Sequence, residues 1–188
     1  MKESRLGPGF SPALRRLHFA VAILVTVQII IGLTMSPRHT PTLFLTHQLL
    51  GLTIAALVLL HWLRLFARER DQLGQLIPVS GPVLRVVADD LRGLLHGRMP
   101  QADPRPGLPA LIHGLGLLAL TAVAALGTGI YVLIRIHHIR SGLGHTLHDL
   151  HVFFVWVLIV YWCGHVLLAI AHEARGDHVI ARMFRLGR

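Results

Sequence analysis

Residues 150–171, with the sequence LHVFFVWVLIVYWCGHVLLAIA, decide the fold, because they form a long apolar run without Asp, Glu, Lys or Arg. A run of about 20 such residues is long enough to cross the hydrocarbon layer of a membrane as a helix. The segment must be helical because backbone N–H and C=O groups in lipid have to be paired internally. We therefore expect a membrane-spanning helix that carries two histidines, His151 and His165.

Three further runs have the same character, at residues 17–35, 43–63 and 108–134. The chain is 53% hydrophobic and 14% charged, whereas soluble domains are about 25% charged. These features predict an all-α integral membrane four-helix bundle, formed by a single domain over residues 1–188. We expect helices at about residues 15–35, 43–66, 108–134 and 148–172.

The segment between the second and third runs contains an amphipathic stretch that begins after Ser80-Gly81-Pro82. With Ser80 as cap and Pro82 in the first turn, it predicts a short helix lying on the membrane surface. The apolar face of the short helix would comprise Val83, Leu84, Val87, Leu91, Leu94 and Leu95, and its polar face Arg85, Asp89, Asp90 and Arg92.

Residues 135–149 are expected to form a loop on the opposite side of the membrane.

The distribution of cations predicts the orientation of the bundle. Fifteen Lys and Arg residues lie in the two terminal segments and the long central loop, whereas three, Arg38, Arg135 and Arg140, lie on the other side. The positive-inside rule therefore places both termini in the cytoplasm. The net charge of +9 is expected to face anionic lipid, and we predict no nucleic-acid partner.

Histidine is the unusual residue of this sequence, which contains 14 of them. An ionisable residue inside a membrane helix is costly and indicates function, and neutral imidazole is a strong axial ligand for haem iron. The single cysteine, Cys163, and the absence of a C-x-x-C-H motif exclude covalent attachment of haem in the c-type manner. The histidines within the apolar runs are His18, His47, His61, His113, His151 and His165.

Spacing places these histidines at two levels. His151 and His165 are fourteen residues apart, as are His47 and His61, so each pair shares a helix face with a separation of ~21 Å. We expect an outer level with His47 and His151, and an inner level where His165 is joined by either His18 or His61. Facing side chains in a bundle core are suited to hold cofactors, which predicts two haem groups.

Other interpretations of the same residues remain open. The histidines could instead hydrogen-bond to neighbouring helices. The helical glycines could allow close approach of a porphyrin ring or could serve ordinary helix packing. Zinc is disfavoured because it prefers a tetrahedral set, usually with cysteine or carboxylate. Membrane-interface anchoring is the favoured role of Trp62, Trp156 and Trp162.

Several short motifs together resemble the bacterial cytochrome b561 family, which includes the cytochrome b subunits of nickel–iron hydrogenases. They are RRLHF at residues 15–19, His47 followed four residues later by Gly51, and the histidines 151, 165 and 172. GDH at residues 176–178 and RM at residues 182–183 complete the pattern. The resemblance covers all four predicted helices.

The resemblance implies a di-haem b protein of the bacterial inner membrane that exchanges electrons with quinone, ubiquinone in particular. Carried over by position, the iron ligands are His47 with His151 on the outer side and His18 with His165 on the inner side. His61 departs from the family pattern and is the alternative to His18, while His148 is the outer reserve. Quinone is expected to meet the inner haem near Arg15, Arg16 or His172.

Some members similar to this chain are superoxide oxidases, which oxidise superoxide outside and reduce ubiquinone. A basic outer surface suits an anionic substrate. This surface would comprise Arg38, His39, Arg135, His137, His138, Arg140, His145 and His148. No catalytic residue is assigned.

An alternative function is a membrane anchor and electron conduit for a partner dehydrogenase or hydrogenase. A third hypothesis, proton or metal transport, is weakened by the lack of carboxylates within the apolar runs.

Overall fold

The computed structural model describes residues 11–68, 70, 73, 76, 81–100, 107–133 and 142–184. Among them the main elements are helices and no strand occurs. We number the helices α1 (Pro12–Thr34), α2 (Pro41–Arg68), α3 (Gly81–Leu95), α4 (Leu108–Tyr131), α5 (Gly142–Ala174) and α6 (Val179–Phe184).

The four long helices α1, α2, α4 and α5 are each long and apolar enough to cross a membrane. The predicted fold class, an all-α membrane bundle, is confirmed. The amphipathic stretch also forms the expected helix, α3, although its predicted cap Ser80 lies outside the described residues. One prediction was wrong, because α5 begins at Gly142 and residues 142–149 are helical rather than part of a loop.

Local sequence explains how α1 and α4 begin. The Ser11 hydroxyl accepts a hydrogen bond from the Leu14 backbone N–H at 3.3 Å, and Pro12 occupies the first turn of α1. Such a cap pairs one of the N–H groups that a helix start leaves without a helical partner. At α4 the cap comes from another helix, since Asp90 of α3 accepts from the Leu108 N–H at 3.0 Å. The amphipathic helix α3 is thereby attached to the start of α4.

Contacts between neighbours run in the order α1, α2, α4 and α5, with α3 against α4 and α6 against both α5 and α1. One buried apolar cluster lies in the middle of the bundle and comprises Val25, Ile54, Val58, Leu120 and Leu158. A second lies towards the chain termini and comprises Leu14, Leu17, Leu65 and Leu76.

The outward faces of the spanning helices are apolar. Ile30 is 58% exposed, Leu59 60% and Val160 72%, which would be unfavourable in water but is favourable against lipid chains. Among the described residues no polar or charged residue is fully buried. The six histidines of the apolar runs, in contrast, are half-buried: His18, His47, His61, His113, His151 and His165.

Two tryptophans link helices inside the bundle. Trp62 of α2 donates a hydrogen bond from Nε1 to Thr121 Oγ1 of α4 at 3.0 Å, and Trp162 of α5 donates to Thr26 Oγ1 of α1 at 3.2 Å. Both rings pack against the central apolar cluster, so the anchoring role expected from the sequence does not describe them. Trp156, by contrast, is 57% exposed and faces outward.

Candidate functional site

Two groups of histidines lie at different heights in the bundle. The two-histidine cluster comprises His47 of α2 and His151 of α5, which are close enough to interact electrostatically. The four-histidine cluster comprises His18, His61, His113 and His165, one from each spanning helix. Because α2 and α5 are continuous helices that contribute one histidine to each cluster, fourteen residues apart, the clusters are ~21 Å apart along the helices.

His151 is held by the neighbouring helix α4. Its Nδ1 lies 3.1 Å from the Val123 carbonyl oxygen, which can only accept, so Nδ1 carries the proton and donates. Gly127, one turn further along α4, lies so close that a Cβ there would be 3.1 Å from His151 Cε1. The hydrogen bond fixes the ring and leaves Nε2 with the lone pair that a metal ligand requires.

The ring of His47, on α2, packs in a similar way against a glycine of α1. A Cβ on Gly32 of α1 would be 3.3 Å from His47 Cε1, so the glycine allows the ring to approach the α1 backbone. The His47 backbone carbonyl accepts a hydrogen bond from Gln28 Nε2 at 2.8 Å. The ring nitrogen Nδ1 is buried and has no hydrogen-bond partner in the described part of the chain.

In the four-histidine cluster, His18 and His165 have ring centroids 6.2 Å apart. His113 lies 6.2 Å from His18 and 4.9 Å from His165. His61 is near enough to His18 to interact with it electrostatically. The structure thus brings together both inner candidates expected from the sequence, with His18 in ring contact with His165.

His113 is the member of this cluster to which the sequence assigned no role. It is half-buried on α4, and its Nδ1 lies 2.7 Å from the Pro109 carbonyl oxygen one turn earlier. Only its position within an apolar run signalled it, because α4 has no second histidine at the fourteen-residue spacing seen on α2 and α5.

His148, the reserve outer ligand, has a different environment from His151. Its side chain is 64% exposed and its Nδ1 lies 3.4 Å from Asp149 Oδ1. Of the basic residues expected at this end, Arg38, His39 and His145 are also exposed. The remaining four, Arg135, His137, His138 and Arg140, lie outside the described residues.

The residues present fit haem as a cofactor. Imidazole is a common axial ligand of haem iron, and each cluster offers at least two rings from different helices. The orphaned Nδ1 of His47 and the glycine seats beside His47 and His151 are features of a packed cofactor site. When bound, haem supplies one-electron redox chemistry.

A helical membrane bundle with paired histidines at two heights has the architecture of a membrane cytochrome b. A model of the prokaryotic cytochrome b561 family matches residues 9–186. The chain therefore belongs to the prokaryotic cytochrome b561 family and is a transmembrane haem b electron-transfer protein. No curated protein and no solved structure matches it.

Proposed function

We propose that this chain binds two haem b groups, one between His47 and His151 and one between His18 and His165, and serves as a quinone-linked oxidoreductase. In this proposal both termini lie in the cytoplasm, so the four-histidine cluster is near the inner membrane face. The family membership supports haem b binding. The number of groups, their ligands and the quinone are inferences from the described side chains.

The observation that carries the proposal is the separation of His18 and His165. Two imidazole nitrogens that held one haem iron from opposite sides would be about 4 Å apart, because each metal–nitrogen distance would be about 2 Å. The centroids of such rings are therefore ~6 Å apart, since each ring extends behind its nitrogen. The observed centroid distance of 6.2 Å supports His18 and His165 as partners.

Distance alone also admits His113 as a partner of His18, since this separation is likewise 6.2 Å. We assign His165 because it repeats, fourteen residues along α5, the position of His151. At 4.9 Å, His113 is too close to His165 for these two rings to share an iron. His113 therefore acts as a neighbour of the ligand His165 rather than as its partner.

The use of two histidines for each proposed haem would determine which reaction the haem can carry out. An iron with two histidine ligands has no open coordination position, which favours electron transfer over binding of oxygen. The two clusters lie at different heights of the spanning helices. Electrons would therefore move across the membrane rather than react at one isolated centre.

The quinone site that we propose lies at the end of α5, near His172. His172 Nδ1 is 2.7 Å from Asp177 Oδ2, and the two side chains are 12% and 42% exposed. Reduction of a quinone consumes protons as well as electrons. A half-buried histidine hydrogen-bonded to a partly exposed carboxylate can pass a proton from solvent to a bound quinone.

At the other end of the bundle the sequence places three arginines, Arg38, Arg135 and Arg140, against one carboxylate, Asp149. Arg38 is exposed in the described part of the chain. A surface dominated by one sign of charge raises the local concentration of an oppositely charged reactant. We therefore propose a small anionic electron donor, superoxide, on this side.

The first experiment counts haem in the purified full-length protein by reduced-minus-oxidised spectra and a pyridine haemochrome assay. We expect a b-type signal from two haems per chain, a rapid reduction by superoxide, and reoxidation by ubiquinone. One haem per chain would contradict the paired-ligand assignment. Two haems that respond to neither superoxide nor ubiquinone would contradict the proposed reactants and leave the haem assignment standing.

A further inference from the structure

Tyr161 and His165 are one turn apart on α5, and their rings are stacked. The centroids are 5.5 Å apart and the ring planes are inclined by 16°. Side chains four residues apart on a helix are neighbours on the same face. The phenol ring of Tyr161 therefore lies against the His165 imidazole in an offset stack.

Tyr161 is in turn held by a glycine of α4. Gly116 is buried, and a Cβ at this position would overlap the Tyr161 ring and hydroxyl. Small residues in membrane helices allow groups of a neighbouring helix to approach the backbone closely. The phenol ring thus rests directly on the α4 backbone, which limits the positions that it can adopt beside His165.

A further ring contact on His165 comes from α4, the helix that carries Gly116. His113 lies three residues before Gly116, and its ring meets the His165 ring edge-on at 4.9 Å with an interplanar angle of 87°. The torsion that turns a histidine ring is intrinsically broad, so a defined ring plane requires contacts such as these. For His151 the corresponding constraint is the hydrogen bond to Val123.

We infer that Tyr161, seated on Gly116, is a positioning residue that sets the plane of the His165 imidazole. This inference rests on the proposed role of His165 as a haem ligand. Outer contacts that orient a ligand tune the metal it binds. The angle between two axial imidazole planes governs the g values of a low-spin ferric haem, which makes the ring plane of His165 measurable.

The test uses the full-length protein and compares Tyr161→Leu and Gly116→Ala with two matched controls. Tyr161→Phe keeps the stacked ring, and Gly164→Ala adds a methyl group next to His165 where a Cβ meets nothing within 4 Å. We expect Tyr161→Leu and Gly116→Ala to shift the g values and midpoint potential of one haem and not of the other. Both controls should retain the wild-type spectrum and potentials.

A double variant makes the result specific. If the residues act through one contact, Gly116→Ala should cause no further shift in a Tyr161→Leu background, since coupled residues are non-additive. Tyr161→Leu removes bulk without a clash, so it remains informative if Gly116→Ala does not fold. Wild-type g values and potentials for both haems in Tyr161→Leu would overturn the inference.

His165→Ala distinguishes failure of this inference from failure of the proposed function. Retention of both haems in His165→Ala would contradict the proposed ligand set and, with it, the inference. Loss of one haem in His165→Ala, together with an unchanged spectrum in Tyr161→Leu, would overturn the inference alone. Loss of one haem with a shifted signal in Tyr161→Leu supports both.

Discussion

The imidazole rings of His18 and His165 lie 6.2 Å apart between centroids, although the residues belong to the first and the last of the spanning helices. Replacing His18 with alanine is expected to abolish binding of one haem, because its iron would lose one of two axial ligands. His61→Ala and His113→Ala should each retain both haems. The measurement is the haem content per chain, with the reduced-minus-oxidised spectrum of each variant.

This comparison tests whether His18, rather than His61 or His113, is the partner of His165. Loss of one haem in His61→Ala but not in His18→Ala would identify His61 as the ligand and contradict our assignment. Loss of one haem in His113→Ala alone would identify His113 of α4 as the ligand and would also contradict our assignment. His148→Ala is the control at the other end, because this side chain is 64% exposed and its replacement should leave both haems in place.

Much of this arrangement could be predicted from single helices. Length and hydropathy predicted the four spans, and the fourteen-residue spacings on α2 and α5 predicted two levels of histidine, since the helical repeat determines both face and rise. Pairing between helices could not be predicted in the same way. It depends on the axial rotation and offset of two helices, which the sequence of neither helix determines.

His113 and Tyr161 illustrate this limit. Each is the one residue of its type on its helix, so no periodic pattern distinguishes it from ordinary packing. Their contacts with His165 arise because Gly116 allows α4 and α5 to approach closely at one height. The tryptophan hydrogen bonds also depend on how the helices pack together. Thr121 of α4 accepts from Trp62 of α2, and Thr26 of α1 accepts from Trp162 of α5, so neither bond is visible in the sequence of one helix.

The close contact between Gly127 and His151 leads to a second prediction. Alanine at Gly127 would place a Cβ 3.1 Å from His151 Cε1, and the hydrogen bond to Val123 opposes movement of the ring. Overpacking of this kind costs roughly 1–3 kcal/mol. We expect Gly127→Ala to lower the haem content at the two-histidine cluster and the unfolding temperature of the protein in detergent.

Gly129→Ala provides the matched control for Gly127→Ala. This glycine is on the same helix two residues later, and a Cβ there would meet Leu147 at 3.8 Å, which is ordinary van der Waals contact. The control should keep the wild-type haem content and unfolding temperature. Equal effects of the two substitutions would show that a general loss of glycine, rather than contact with His151, is responsible.

A third prediction concerns the hydrogen bond between Trp62 and Thr121. The Thr121 hydroxyl accepts from Trp62 Nε1 at 3.0 Å and donates to the Leu117 carbonyl at 2.6 Å. Hydrogen bonds between membrane helices contribute about 0.6 kcal/mol on average and at most about 1.7. Trp62→Phe and Thr121→Val should therefore each destabilise the bundle modestly, as measured by unfolding in mixed detergent.

The double variant Trp62→Phe/Thr121→Val tests whether these effects arise from the same bond. Its destabilisation should be smaller than the sum of the two single effects, because the second substitution removes an interaction that is already absent. Trp156→Phe is the control, since this side chain is 57% exposed and should cause little change. Strict additivity of Trp62→Phe and Thr121→Val would contradict the proposed link.

The last prediction concerns the proposed quinone end of the bundle. His172→Ala should reduce the rate of ubiquinone reduction on the order of 10²-fold, the range of one general acid–base group, while both haems remain bound. Asp177→Asn keeps a hydrogen-bond acceptor for His172 Nδ1 but removes the charge, so its rate should fall less. The rate is measured as reoxidation of the reduced protein by ubiquinone, with haem content determined in parallel.

His178→Ala is the matched control for this last prediction. His178 is one residue from Asp177 and lies 3.5 Å from Glu173, but its side chain is 73% exposed, whereas that of His172 is 12% exposed. A surface histidine of this kind should not affect quinone reduction. If His172→Ala and His178→Ala slow the reaction equally, the effect belongs to the surface charge at this end, and the proton path through His172 and Asp177 would be excluded.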